Sequence, residues 1–333
     1  MRGDFLKMVL LAVLVALFGV RHASAGNITV VASYHPENAW TANCIQAIRE
    51  RIGTKHAIDV IYMDTKRKPP SEHQEIADRT WKQIQKQKPD LIMTADDNAL
   101  KYLAPEFEKI DSPVVFYGVN NNPRVYFKNG KIPENITGIL ERRMLIPLGR
   151  MIKNLVPIQK NRFLILFDDS QTTKAHLAIT LHGKKNISFD GTTIEWQSHS
   201  YYDDWQNAVT RAAQTYDAII VENWYTVKQR STGQTVDANE VLTWTGQHSP
   251  VPVFGSIPHS VGAKKFIGAM VLTGSSHGRD AAKMALAILD EKKKPKDLTI
   301  LTTKPDKYYF NQNNLQKFNL TLPANLQREA VFQ

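Results

Sequence analysis

The sequence predicts an α/β protein built as two doubly wound parallel-sheet lobes, joined by a hinge that the chain crosses several times. Two observations carry this expectation. Short apolar runs closed by polar tips recur along the chain and alternate with stretches of helical periodicity. The block 89–140 shows the unit plainly. Pro89-Asp90-Leu91-Ile92-Met93-Thr94 leads into a helical stretch, then Ser112-Pro113-Val114-Val115-Phe116-Tyr117-Gly118-Val119-Asn120, then Asn135-Ile136-Thr137-Gly138-Ile139. Runs about twenty residues apart suit parallel strands with a crossover helix. In open α/β sheets the polar tips fall at the carboxyl ends of the strands, where ligands bind.

Each element can be justified in order. Asn27 to Ser33 is the first strand, and Trp40 to Ile52 has a helical repeat through Cys44 and Ile48. Ala57 to Tyr62 is a second strand. Glu72 to Lys86 places Ile76, Trp81 and Ile84 on one helical face, and strands follow at Leu91 and Val114. The pattern then restarts. Leu145 to Leu155 is helical with Pro157 as its stop, and Arg162 to Phe167 is a strand. Thr173 to His182 is helical, Thr192 to Gln197 a strand and Asp204 to Gln214 a helix, with strands at Asp217 to Val221 and Val251 to Gly255. Two successive units of similar size indicate two lobes rather than one large sheet. Phe266 to Thr273 (strand), Arg279 to Asp290 (helix) and Leu298 to Thr302 (strand) are expected to return to the first lobe. The lobes are thus residues 26–140 with 270–300, and 141–269 with 301–333.

The first 25 residues form a secretory leader. Arg2 and Lys7 supply positive charge, Met8 to Val20 is an apolar run of 13, and Ala23-Ser24-Ala25 precedes Gly26 as an A-x-A cleavage site. Thirteen apolar residues are too few to span a bilayer of about 30 Å. No cysteine follows the site, so a lipid anchor is excluded and a soluble periplasmic protein is expected. Cys44 is the single cysteine, so no internal disulfide forms and the thiol reads as a small core hydrophobe. Net charge is +10, and about +8 without the leader's Arg2, Asp4, Lys7 and Arg21. The surplus reads as solvated surface, part of it in Glu291-Lys292-Lys293-Lys294-Pro295-Lys296. No arginine-rich arm or basic-aromatic stripe suggests nucleic acid.

Candidate binding residues are those at the strand tips. In the first lobe, Tyr34 and Trp40 would stack on a planar ligand and Ser33 would hydrogen-bond it. Thr94 offers a hydroxyl, while Asp96 and Asp97 suit an ammonium or another cation. The alternative for these carboxylates is helix N-terminal placement for dipole reasons. Asn120 is the nearest of Asn120-Asn121-Asn122 to its strand. In the second lobe, Ser170 and Thr172 open a helix whose N–H groups suit a carboxylate or phosphate. Asn223, Trp224 and Tyr225 follow the Asp217–Val221 run, where two aromatics read as cleft rather than core. Gly274-Ser275-Ser276-His277-Gly278 lacks phosphate-loop spacing and reads as hinge or cleft floor. No catalytic set, metal site or cofactor motif stands out, which argues against the alternative of an exported hydrolase.

The order of these pieces resembles the ABC-transporter substrate-binding proteins of the type I periplasmic fold, in the group that includes aromatic amino-acid binders. Its most specific segments are PDLIMTADDNAL at 89–100, PVVFYGVN at 113–120 and NITG at 135–138. PVPVFGS at 250–256 and FNQNNLQKFNLTLPANLQREA at 310–330 add to them. The chain departs in having Asn120-Asn121-Asn122-Pro123 where the family often has Asp-Pro, and Phe318-Asn319 where a glycine is common. Ser33-Tyr34-His35-Pro36-Glu37-Asn38-Ala39-Trp40 looks more like the branch associated with sensor histidine kinases and cyclic-di-GMP enzymes. The resemblance implies a monomeric solute-binding protein. It would capture a small ligand, such as an amino acid or similar zwitterion, between its lobes and deliver it to an ABC permease. The alternative is a periplasmic sensor that presents its bound state to a histidine kinase or diguanylate cyclase.

Overall fold

The computed structural model describes residues 25–142, 144–181, 184–302 and 304–333. The leader up to Ser24 lies outside the described residues.

Two sheets form. The first has strand order β12-β5-β4-β3-β1-β2, from β1 (Asn27–Ala32), β2 (Ala57–Tyr62), β3 (Leu91–Ala95), β4 (Val114–Val119), β5 (Ile136–Leu140) and β12 (Leu301–Thr302). Every pairing in it is parallel. Its central strands β3 and β4 are buried throughout, as expected of strands covered by helices on both faces. The covering helices are α1 (Ala39–Ile52), α2 (His73–Gln87), α3 (Asp96–Phe107) and α8 (Gly274–Leu289).

The second sheet runs β14-β13-β11-β10-β9-β6-β8-β7. Its members are β6 (Arg162–Asp168), β7 (Asn186–Phe189), β8 (Thr192–His199), β9 (Ala218–Val221), β10 (Val253–Gly255), β11 (Gly268–Val271), β13 (Lys307–Phe310) and β14 (Ala330–Phe332). The expected parallel character holds from β8 to β11 and again in the edge pair β13/β14. The pairs β7/β8 and β11/β13 are antiparallel, so the sheet is mixed. The helices in this half are α4 (Leu145–Leu155), α5 (Gln171–Leu181), α6 (Tyr202–Thr210), α7 (Ala238–His248), α9 (Gln312–Lys317) and α10 (Ala324–Glu329).

The chain passes between the sheets three times: from β5 to α4, from β11 to α8, and from β12 to β13. Two of these passages fall elsewhere than expected. The run at 266–273 yields β11, which stays in the second sheet, and only the helix after it returns to the first. Conversely, β12 at 301–302 is the end of the Leu298–Thr302 run and completes the first sheet, so the last passage comes after Thr302 and not after residue 300. β12 pairs at a sheet edge and β11 between β10 and β13, each placed by which neighbour offers unpaired backbone groups, and periodicity does not encode that.

Residues α1 and α8 pack at backbone distance. A Cβ on Gly274 would stand 2.7 Å from the Trp40 carbonyl oxygen, and one on Gly278 only 2.2 Å from that of Cys44. The Gly-Ser-Ser-His-Gly segment is therefore the first turns of a helix fitted against α1, and not a loop. Among the described residues no helix is long and apolar enough to cross a membrane.

Candidate ligand-binding site

The crossings set where the strand tips lie. β5 leaves the first sheet from its carboxyl end and β11 leaves the second from its carboxyl end. The link from β11 to α8 is only residues 272–273, which let the two elements stand no more than about 11 Å apart. The carboxyl edges of both sheets therefore border the same hinge. Asp306 fastens two crossings together, accepting from Thr273 N (3.2 Å), Thr273 Oγ1 (2.9 Å) and Arg279 Nη2 (3.1 Å).

At the first-lobe edge, Asp96 is the central group. It follows β3 with φ of 63°, a left-handed conformation that costs a non-glycine residue about 1 kcal/mol or more and tends to persist at functional sites. The turn is possible because Gly118, at the register shift of β4 and itself at φ 70°, leaves space. A Cβ there would stand 3.0 Å from Asp96 Oδ1. Asp96 is 4% exposed, and its Oδ2 has no partner among the described residues. Burial raises its carboxyl well above the ordinary value, and the nearby Glu141 and Asp97 add to this; Lys66 and a hydrogen bond from Trp40 act in the opposite sense.

Half-buried Tyr34 and Trp40 flank this carboxyl. Burial first, then the negative field of Asp96, Asp97 and Glu141, holds the Tyr34 phenol protonated far above its usual range. The Lys66 ammonium lies 4.3 Å over the Tyr34 ring. The Trp40 indole meets His277 edge-on at 5.4 Å, and burial lowers the His277 imidazole to about 4, keeping it neutral. Thr94 Oγ1 and Tyr117 Oη are also buried without a partner among the described residues.

Other expected site residues of this lobe are spent on structure. Ser33 is fully buried; its hydroxyl donates to the Ala95 carbonyl (2.6 Å) and accepts from Ala99 N (2.8 Å). It thereby caps α3, whose own N-cap residue, Ala95, has no side chain able to do so. The Asp97 carboxylate accepts from Asn120 N (2.9 Å), Asn121 N (3.0 Å) and Tyr126 Oη (2.8 Å). It holds the loop after β4 in place. Asn120 is exposed and donates to Glu141 Oε2 (3.1 Å).

At the second-lobe edge, the buried Asp168 carboxylate accepts from Ser170 Oγ (2.7 Å), Thr173 Oγ1 (2.8 Å) and Thr226 N (3.1 Å). Burial opposes its charge, but these hydrogen bonds outweigh that and hold it below the ordinary carboxylate range. Ser170 also accepts from Thr173 N (3.2 Å), so it caps α5. The hydroxyl built into this network is that of Thr173, while Thr172 is exposed. Asn223 donates to Thr173 Oγ1 at 3.1 Å.

Trp224 was expected to line the cleft and instead belongs to the core. It is 1% exposed, packs with Phe266, and donates from Nε1 to the Ala238 carbonyl (2.9 Å). The reason is the helix α7, not apparent in the periodicity, which brings the Ala238 carbonyl to the indole N–H. Tyr225 is the exposed partner. Its ring stacks on Trp224 at 4.8 Å and 19°, and its hydroxyl meets His259 Nε2 at 3.0 Å.

Tyr34, Trp40 and Asp96 are thus brought together with Lys66, Glu141, Tyr117 and His277, four residues not singled out as binding residues by the sequence reading. Glu141 was findable, because it follows β5 as Asn120 follows β4. Among the described residues no group of three or more histidines, cysteines or carboxylates is placed to hold a metal.

The family model of ABC transporter substrate binding proteins matches residues 34–332. No curated protein sequence matches the chain. Similar solved structures include a ligand-free, open substrate-binding protein with adhesive properties from Clostridium difficile, with 14% identity and a TM-score of 0.61, covering 93% of this chain and 99% of that one. An ABC domain in complex with L-Trp from Streptococcus pneumonia has 17% identity and a TM-score of 0.49, with coverage of 93% and 99%. A solute-binding protein from Rhodopseudomonas palustris in complex with 3,4-dihydroxybenzoic acid has 14% identity and a TM-score of 0.49, covering 82% and 83%. The fold is that of the type I periplasmic binding proteins. Its members in this family are binding proteins rather than enzymes, and the match over nearly the whole described chain means that the protein belongs to the ABC transporter substrate-binding protein family.

Proposed function

We propose that the protein is exported by removal of residues 1–25 and works in the periplasm as a monomer. There it captures a small zwitterionic or cationic solute with a planar apolar part between its lobes and hands it to an ABC permease. The single observation that carries the ligand class is Asp96. A buried carboxyl with one oxygen unpartnered, at a strand tip and flanked by two aromatic rings, is costly unless a ligand completes it. A ligand ammonium would bond Oδ2, and Tyr34 and Trp40 would cover the planar part. On the other side, the opening turn of α5, with exposed Thr172, and the Tyr225 ring would receive the ligand's carboxylate and far face. The hinge lets the lobes close over the ligand, excluding water and strengthening these contacts.

The test is a titration of the leaderless protein with aromatic and aliphatic amino acids and with their amine and acid halves, followed by tryptophan fluorescence. Saturable binding of compounds that carry an ammonium supports the reading. Response only to compounds lacking one, or to none, sinks it. The segment Ser33–Trp40 favours a second reading, in which the same closure is read by a membrane kinase or cyclase. Genes for a permease and ATPase beside this one would support transport, and a kinase or cyclase gene would support sensing.

A further inference from the structure

The amino edge of the first sheet, opposite the candidate binding site, holds a second group of polar residues that solute capture does not use. Gly26 is buried, and its nitrogen donates to His56 Nδ1 at 2.8 Å. The His56 side chain is 1% exposed, and its Nε2 lies 3.0 Å from Asp290 Oδ1, at the carboxyl end of α8. The other Asp290 oxygen takes Lys55 Nζ at 2.6 Å. A ring nitrogen facing a carboxylate carries the proton, so Nδ1 keeps its lone pair for Gly26. One residue on, Asn27 N donates to Asp90 Oδ2 at 2.8 Å. That oxygen also lies 3.5 Å from where a Gly26 Cβ would stand, and His56 Nδ1 lies 3.3 Å from the same point. A cavity of about 270 Å³ opens here, lined by Gly26, His56, Asp90, Pro113, Leu289 and Lys292, among others.

We infer that this is a seat for the mature amino terminus: cleavage after Ala25 turns the Gly26 amide into an ammonium held by His56 and Asp90. The inference rests on the leader reading above. A peptide N–H has one proton, and His56 already takes it. An α-ammonium has three protons and a positive charge, which accounts for the adjacent carboxylate and the open volume. The facing charges are Asp90 before β3, Asp290 and Lys292 after α8, and Lys55 before β2. The two carboxylates balance the two lysines, and the ammonium adds a partner for Asp90. The contacts of Gly26 N, Asn27 N and His56 already join the starts of β1, β2 and β3 to the end of α8, and the charged contact to Asp90 is added only once the leader has gone. Signal removal then does more than release the chain; it strengthens the fold at this edge.

The experiment compares four chains released by a site-specific protease: one starting at Gly26 and one starting at Ala25, each with and without Asp90→Asn. The Gly26 chain is expected to melt about 2–4 °C above the Ala25 chain, the size of one charge-assisted contact in a protein of this length. Asp90→Asn should abolish that difference when both of its chain starts are compared. The Gly26 amine should also react roughly ten-fold more slowly with an acylating ester than in urea-unfolded protein, a factor that corresponds to about 1.4 kcal/mol of protection. Equal melting temperatures together with equal reactivity overturn the seat. The mass of the exported protein judges the leader separately: a start other than Gly26 refutes the cleavage site, whereas a Gly26 start with equal melting and equal reactivity refutes only the seat.

Discussion

Asp96 shows how surroundings single out one carboxylate as the candidate ligand group. Its neighbour Asp97 is identical in chemistry, yet its carboxylate is saturated by two backbone N–H groups and the Tyr126 hydroxyl. Asp96 is buried with an open oxygen. Asp96→Asn should therefore weaken binding of an ammonium ligand about 10–100-fold, the worth of one charged hydrogen bond, as read by titration. The pH dependence follows from the sign of the shift. Burial and neighbouring carboxylates raise the Asp96 carboxyl in the free protein, whereas an ammonium ligand needs it ionised. Affinity should rise with pH until the free-state value is passed, with a proton released on binding that calorimetry in buffers of different ionisation enthalpy would detect. Asp96→Asn should flatten this dependence. Trp224 and Tyr225, adjacent in sequence, separate in the same way. Trp224→Ala removes a core ring and should cost about 3–5 kcal/mol in denaturant unfolding. Tyr225→Ala should leave stability within about 0.5 kcal/mol and act on affinity.

At the scale of elements, the contact of α1 with α8 positions Trp40 over the site. It depends on Gly278, because a methyl group there would overlap the Cys44 carbonyl at 2.2 Å. Gly278→Ala should destabilise the protein by about 1–3 kcal/mol through overpacking, despite alanine's better helix propensity. Because Trp40 moves with α1, ligand affinity should fall as well. A stabilising result in thermal unfolding would mean that the two helices are not in contact as described. The caps follow a similar logic. Helix α3 is capped by Ser33 from a different strand, and α5 by Ser170 from its own leading residue. The local cap sits three residues from the N–H it accepts, while the borrowed one comes from 66 residues away.

For the whole molecule, the question is how two sheets become one binding device. Asp306 ties the β11–α8 crossing to the segment that leads into β13. It is remote in sequence from every binding residue expected from the sequence. Asp306→Ala should loosen this fastening, widen the distribution of lobe openings seen by small-angle scattering, and lower ligand affinity by about three- to ten-fold through the population of closed protein. Unchanged scattering and affinity would show that the other crossings alone set the hinge.

The two-lobe α/β organisation was legible because it is written in local periodicities: apolar runs with polar tips, separated by helical repeats. Helix Leu145–Leu155 falls at its expected bounds for that reason. Strands β7 and β14 were not legible, since each is short and paired at an edge, and helix α7 went unread. The candidate site divides along the same line. Sequence alone determined which loops reach the carboxyl edges of the strands, because chain order and strand direction fix that. Only the tertiary structure decided which side chains in those loops remain free for a ligand. Ser33 finds its acceptor and donor 62 and 66 residues away, and Asp97 its donors 23 to 29 residues away. A polar group's availability depends on partners brought close by folding, and no local pattern records them.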